Sequence, residues 1–119
     1  MKSYTDLEQS KKLAEIFPIE SADMYYSNHS LENYYCPTPL IGRYSEIHDQ
    51  IPCWSLAALL DVLPDELEEG YYLTLFKERM EYCCCYEDNN GDSFKHTFAD
   101  NPIDACVEMI LMLKELKKL

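Results

Sequence analysis

The chain has 119 residues and a formal net charge of −12, from 22 acidic against 10 basic side chains. A chain of this length can bury a core of its own, and 47% hydrophobic content with only three glycines excludes a disordered or fibrous protein. The acidic surplus repels polyanions, so no nucleic-acid partner is expected, while a basic protein or a cationic ligand would be attracted and solubility alone would also account for the charge.

Thr5-Asp6-Leu7-Glu8 has the pattern of a capping box, with threonine as the cap, and predicts a first helix over about residues 6–17 that Pro18 stops. Leu7, Leu13, Ala14, Ile16 and Phe17 give that helix its apolar side. Residues 18–52 hold prolines at 18, 37, 39 and 52 and the aromatic patches Met24-Tyr25-Tyr26 and Tyr34-Tyr35-Cys36, which suit short strands within a long loop.

Ile51-Pro52-Cys53-Trp54 leads into a second helix, because Leu56, Leu59, Leu60 and Leu63 repeat at i, i+3, i+4, i+7 until Pro64. Asp65, Glu66, Glu68 and Glu69 then read as a solvated connector. From Tyr71 the period becomes two, and again from Met80 through Tyr86, so two strands are expected. Asp88-Asn89-Asn90-Gly91-Asp92 supplies residues that tolerate positive φ and should turn the chain into a third strand, Ser93–Phe98. Asn101 caps and Pro102 opens a last helix running to about Lys118, with Ile103, Cys106, Val107 and Ile110 on its apolar face. The expected fold is therefore α+β, a single domain over residues 1–119. A three-stranded or slightly larger antiparallel meander packs against about three helices.

No apolar run approaches the ~20 residues of a membrane span, and Met1-Lys2-Ser3-Tyr4-Thr5-Asp6 lacks the apolar region of a secretory signal. A cytoplasmic protein with no membrane partner is expected. The six cysteines, three of them consecutive at 83–85, then read as reduced thiols that fill the core. Within a strand, Cys83 and Cys85 share one face and Cys84 takes the other. Zinc would call for paired Cys-x2-4-Cys or His-x3-5-His ligands, which the chain lacks, and His29, His48 and His96 lie in no recognisable catalytic motif. The 88–92 segment lacks the ordered ligands of a calcium loop, so no cofactor or metal is expected.

Ten tyrosines remain. Tyr25, Tyr26, Tyr34, Tyr35, Tyr71 and Tyr72 form three adjacent pairs and are the candidate interaction surface, since exposed tyrosine is enriched at interface centres. The alternative is that Tyr71, Tyr72, Tyr82 and Tyr86 cover the sheet with their hydroxyls in water. Trp54 is expected to anchor the core.

Three stretches, Ile51-Pro52-Cys53-Trp54-Ser55-Leu56-Ala57-Ala58-Leu59-Leu60, Glu81-Tyr82-Cys83-Cys84-Cys85-Tyr86 and Asp100-Asn101-Pro102-Ile103-Asp104-Ala105-Cys106-Val107-Glu108-Met109-Ile110-Leu111, resemble a family of small uncharacterised proteins from bacterial and phage or mobile-element genomes. The resemblance lies in core-type motifs, implies an accessory protein inside the cell, and transfers no functional residue. The leading expectation is a non-catalytic binding or accessory module that works through contacts with another protein, with self-association left open. An acidic inhibitor or nucleic-acid mimic of a basic host protein is second. A thiol-dependent enzyme or zinc protein using Cys83 or Cys85 with His96 is third.

Overall fold

The computed structural model describes residues 1–27, 39–42, 50–68 and 70–119. Tyr34, Tyr35, Cys36, Pro37, His29 and His48 lie outside the described residues. The chain is α+β, with helices and two antiparallel sheets, and it divides into two compact units: Ser3–Ala58, and Met1–Lys2 with Leu59–Leu119. No described helix is long and apolar enough to cross a membrane.

In the Ser3–Ala58 unit, helix α1 spans Leu7–Ala14. Its cap is Asp6, one residue later than the sequence pattern suggests: Asp6 Oδ1 accepts from the Gln9 amide at 2.8 Å, and Gln9 Oε1 accepts from the Asp6 amide at 3.1 Å. The box is reciprocal, but shifted, because the Thr5 hydroxyl is consumed elsewhere. Thr5 is fully buried, and its Oγ1 accepts from the Trp54 amide at 3.1 Å and lies 2.8 Å from Ser10 Oγ. The helix also stops short of residue 17, since Glu15 and Ile16 donate to the carbonyls of Lys12 and Leu13 and tighten its end.

Strands β1 (Met24–Tyr26), β2 (Leu40–Ile41) and β3 (Ile51–Cys53) form a sheet in the order β2-β1-β3. Pro52 sits within β3, which is tolerated because β3 is an edge strand and a missing N–H costs nothing on its free side. Tyr26 closes the network around Thr5 by donating its hydroxyl to the Thr5 carbonyl at 2.7 Å. Trp54 is fully buried, and its indole N–H donates to Ser21 Oγ at 3.0 Å, satisfying the one polar atom that the ring carries inward.

Helix α2 spans Leu56–Val62, and of its leucine stripe Leu59 is fully buried, as is nearly all of Leu63 just beyond its end. The stretch after Pro64, expected as a solvated connector, instead contains a short strand, β4 (Glu66–Leu67). Leu67 is buried, and pairing with Tyr71 and Tyr72 satisfies the backbone around it. Strands β5 (Tyr71–Glu78), β6 (Glu81–Glu87) and β7 (Ser93–Ala99) follow, in the order β4-β5-β6-β7. Arg79 and Met80, both at positive φ (49° and 70°), make the two-residue turn between β5 and β6. Between β6 and β7, Asp88 Oδ1 accepts from the amides of Asn90 and Asp92, both at 2.9 Å, and Gly91 takes φ 83°.

Helix α3 spans Pro102–Glu115 and lies over β6 and β7. Its start is as the sequence predicts, with Asn101 Oδ1 accepting from the Asp104 amide at 2.9 Å and Pro102 in the first turn. Its end comes at a Schellman motif: Lys118 donates to the Leu113 carbonyl and Lys117 to that of Lys114, with Lys117 at φ 58° where glycine is commoner. Thr97 Oγ1 donates to the Ala105 carbonyl at 2.7 Å and pins β7 to the helix.

Candidate functional site

Strand alternation and register give the β4–β7 sheet two unlike faces. Towards α3 point Leu73, Leu75, Cys84, Tyr86 and Thr97, which pair across the strands as Leu73↔Tyr86, Leu75↔Cys84 and Cys84↔Thr97. Tyr86, expected to cover the sheet with its hydroxyl in water, is fully buried here and donates that hydroxyl to the Pro64 carbonyl at 2.7 Å. Burial pushes its phenol well above the usual range, with the neighbouring Cys84 thiol adding to the effect.

The other face is built from cross-strand rows. Phe76, Cys83 and Phe98 form one row, and Thr74, Cys85 and His96 the next. Two small thiols of β6 thus floor a trough whose walls stand on β5 and β7. His96 and Phe98 meet edge to face, with ring centroids 5.3 Å apart. Phe98 is 46% exposed and Tyr72 47%, so the ends of this face are open to solvent.

The register brings Cys85 directly opposite His96, the pairing on which the thiol-enzyme reading depends. The electrostatics run against a nucleophile. The Cys85 thiol is pushed up to about 12, by burial first and then by Cys83 and the Glu87 carboxylate. Burial likewise raises Cys83. A thiol attacks as its thiolate, and neither sulfur has the cationic surroundings that would supply one. On the inner face Cys84 hydrogen-bonds to Cys106 of α3 and keeps its proton, and its pKa is raised by that bond and then by burial. The same bond lowers Cys106 while burial opposes it. With both sulfurs fully buried, upward is the direction that governs the pair. Cys53 is raised by burial in the other unit, although hydrogen bonds from Thr5 and Ser10 partly offset it.

Among the described residues no group of three or more His, Cys, Asp or Glu side chains is placed to hold a metal ion. In native protein at near-neutral pH, iodoacetamide should leave Cys53, Cys83, Cys84, Cys85 and Cys106 unmodified, and all five should react in denaturant. Peptide mapping by mass spectrometry reads each thiol separately, and native labelling of Cys85 at the rate of a free cysteine would refute the shielding.

Of the tyrosines singled out from the sequence, Tyr26 is 1% exposed and belongs to the core, which removes it from any surface. Tyr25 is half-buried on β1. Tyr71 is half-buried and packs on Phe94 with centroids 5.4 Å apart, on the opposite side of β5 from Tyr72. Tyr72 is the member of that pair on the trough face, where a hydrogen bond to Glu66 raises its phenol. Thr74, Phe76 and Phe98 carry the face alongside it, and none stood out in the sequence. Their signal was the period-two pattern of β5 and β7, which becomes a surface only once the register is known. Compared with known protein families, curated proteins and solved structures, the chain matches none, so its site is defined by its own geometry.

Proposed function

We propose that the protein is a non-catalytic binding module that acts through contacts with another protein. The observation that carries this reading is the trough face itself: its thiols are buried filler between the strands, while its aromatic side chains, Phe98 and Tyr72, stand half in water. Aromatic area held on a rigid sheet is what interface centres are made of, and ordering it on binding costs little entropy. The free thiols further suit a reducing cytoplasm as the place where the module works.

The discriminating experiment is a turnover screen over thioesters, esters, peptides and phosphoesters, with wild type beside a Cys85→Ser, His96→Ala double variant. No turnover above the variant's background is the expected result. Turnover that disappears in the double variant would overturn the reading in favour of a thiol enzyme.

A further inference from the structure

We infer that the open face of the β4–β7 sheet docks a cationic, apolar-faced segment of another protein, a proposal that rests on the binding-module reading and names its partner's chemistry. Strands β5, β6 and β7 contain three carboxylates, Glu78, Glu81 and Glu87, and two lysines, Lys77 and Lys95. Alternation places all three carboxylates on the trough face and both lysines on the other. Glu66 of β4, paired with Tyr72, adds a fourth carboxylate at the far edge. The apolar row Phe76–Cys83–Phe98 and the mixed row Thr74–Cys85–His96 therefore lie between acids at both ends and have no lysine or arginine beside them on the strands.

One pair within this rim is unfavourable on its own. Glu78 and Glu81 are direct cross-strand partners at the hairpin end, and like charges facing each other across strands are destabilising. Arg79 lies in the turn that joins them, and a further cation arriving from a partner relieves the repulsion that remains. A second copy of this face would bring carboxylates against carboxylates, and a nucleic acid or an anionic membrane would be repelled by the same rim. The complementary surface is an apolar strip flanked by lysine or arginine, which an amphipathic helix presents on one side.

The test is a titration of isotope-labelled full-length protein, followed by amide NMR, with a synthetic amphipathic helix of leucine and lysine. A peptide with glutamate for lysine, and one with serine for leucine at unchanged charge, serve as comparisons. Amide shifts confined to residues 72–78, 81–87 and 94–98 are expected, with neither comparison peptide binding appreciably. Phe98→Ser should weaken binding by about tenfold or more, as loss of a central aromatic anchor does. Glu81→Gln should weaken it by a few fold and flatten its salt dependence. Glu108→Gln, at an exposed position on α3, should leave it unchanged. Thr74→Lys puts a cation into the trough at a half-buried position and should abolish binding, which keeps the proposal testable if Phe98→Ser folds poorly. Shifts elsewhere on the molecule, equal binding of the serine peptide, no shifts at about 1 mM peptide, or a dimer without peptide in sedimentation would each overturn it. Those failures leave the non-catalytic reading standing, since only turnover removes that.

Discussion

Replacing Thr5 with valine should cost about 3 kcal/mol of stability, although the two side chains are nearly the same shape. The reason is the number of duties that one hydroxyl performs. Thr5 Oγ1 accepts from the Trp54 amide at 3.1 Å, shares a hydrogen bond with Ser10 Oγ at 2.8 Å and donates to Cys53 Sγ at 3.5 Å. One proton and two lone pairs are then all used, if Ser10 is the donor of the shared bond. Valine would strand the Trp54 N–H and the Ser10 hydroxyl in a site from which water is excluded, and each orphaned group costs about 1–3 kcal/mol. Thr5→Ser keeps the oxygen and should cost about 1 kcal/mol for the lost methyl. Asp6→Ala, which removes the true cap, should also cost about 1 kcal/mol. Urea unfolding of the three variants gives the ranking directly. A Thr5→Val loss no larger than that of Asp6→Ala would mean that the hydroxyl caps the helix from outside the core, as its sequence position suggests.

That displaced cap shows where local sequence signals stop being sufficient. Thr5 and Asp6 both precede the helix with the right side chains, and only the tertiary demand of Trp54 for an acceptor decides between them. Helix α3 faced no such competition, so Asn101 and Pro102 mark its start correctly. Strands β2 and β4 have two residues each, too few for a period of two to register, and the acidic surroundings of Leu67 masked its burial. The β5–β6 turn uses Arg79 and Met80 at positive φ, where no glycine or asparagine announces it.

The candidate site was half legible for a related reason. Both sides of β5 are apolar, Leu73 and Leu75 against Tyr72 and Phe76, so alternation alone could not say which side a helix would cover. What decides is the partner strand. Cys84, between Leu75 and Thr97, faces Cys106 of α3, and that leaves Cys83 and Cys85 on the face with the carboxylates. Adjacent residues in a strand put one ring on each side. Tyr71 and Tyr72 accordingly part company, and Tyr26 goes inside.

The buried thiols also dictate how the fold should respond to alkali. Stability is expected to be insensitive to the thiols up to about pH 8 and then to fall steeply. The sign follows from the direction of the shifts. Unfolded cysteines release their protons near pH ~8.5. In the folded chain Cys53, Cys83, Cys84 and Cys85 are held above their ordinary value, so above that pH the native state binds more protons than the unfolded state. Unfolding free energy then decreases as pH rises, by about 1.4 kcal/mol per pH unit for each thiol that stays protonated. The two deep thiols, Cys53 and Cys84, give about 3 kcal/mol per unit, and the trough pair, Cys83 and Cys85, adds to this. Above about pH 10 the phenols of Tyr26 and Tyr86, both raised chiefly by burial, steepen the fall further. Against a typical domain stability of about 5–15 kcal/mol, a loss of this size unfolds the chain within a few pH units. Urea midpoints measured from about pH 7 to 10 should show a plateau followed by this decline, and Cys53→Ala should make the decline shallower by about 1.4 kcal/mol per unit. Equal midpoints at both ends of that range would show that the thiolates are accommodated in the folded state, and would reopen the case for Cys85 as a reagent.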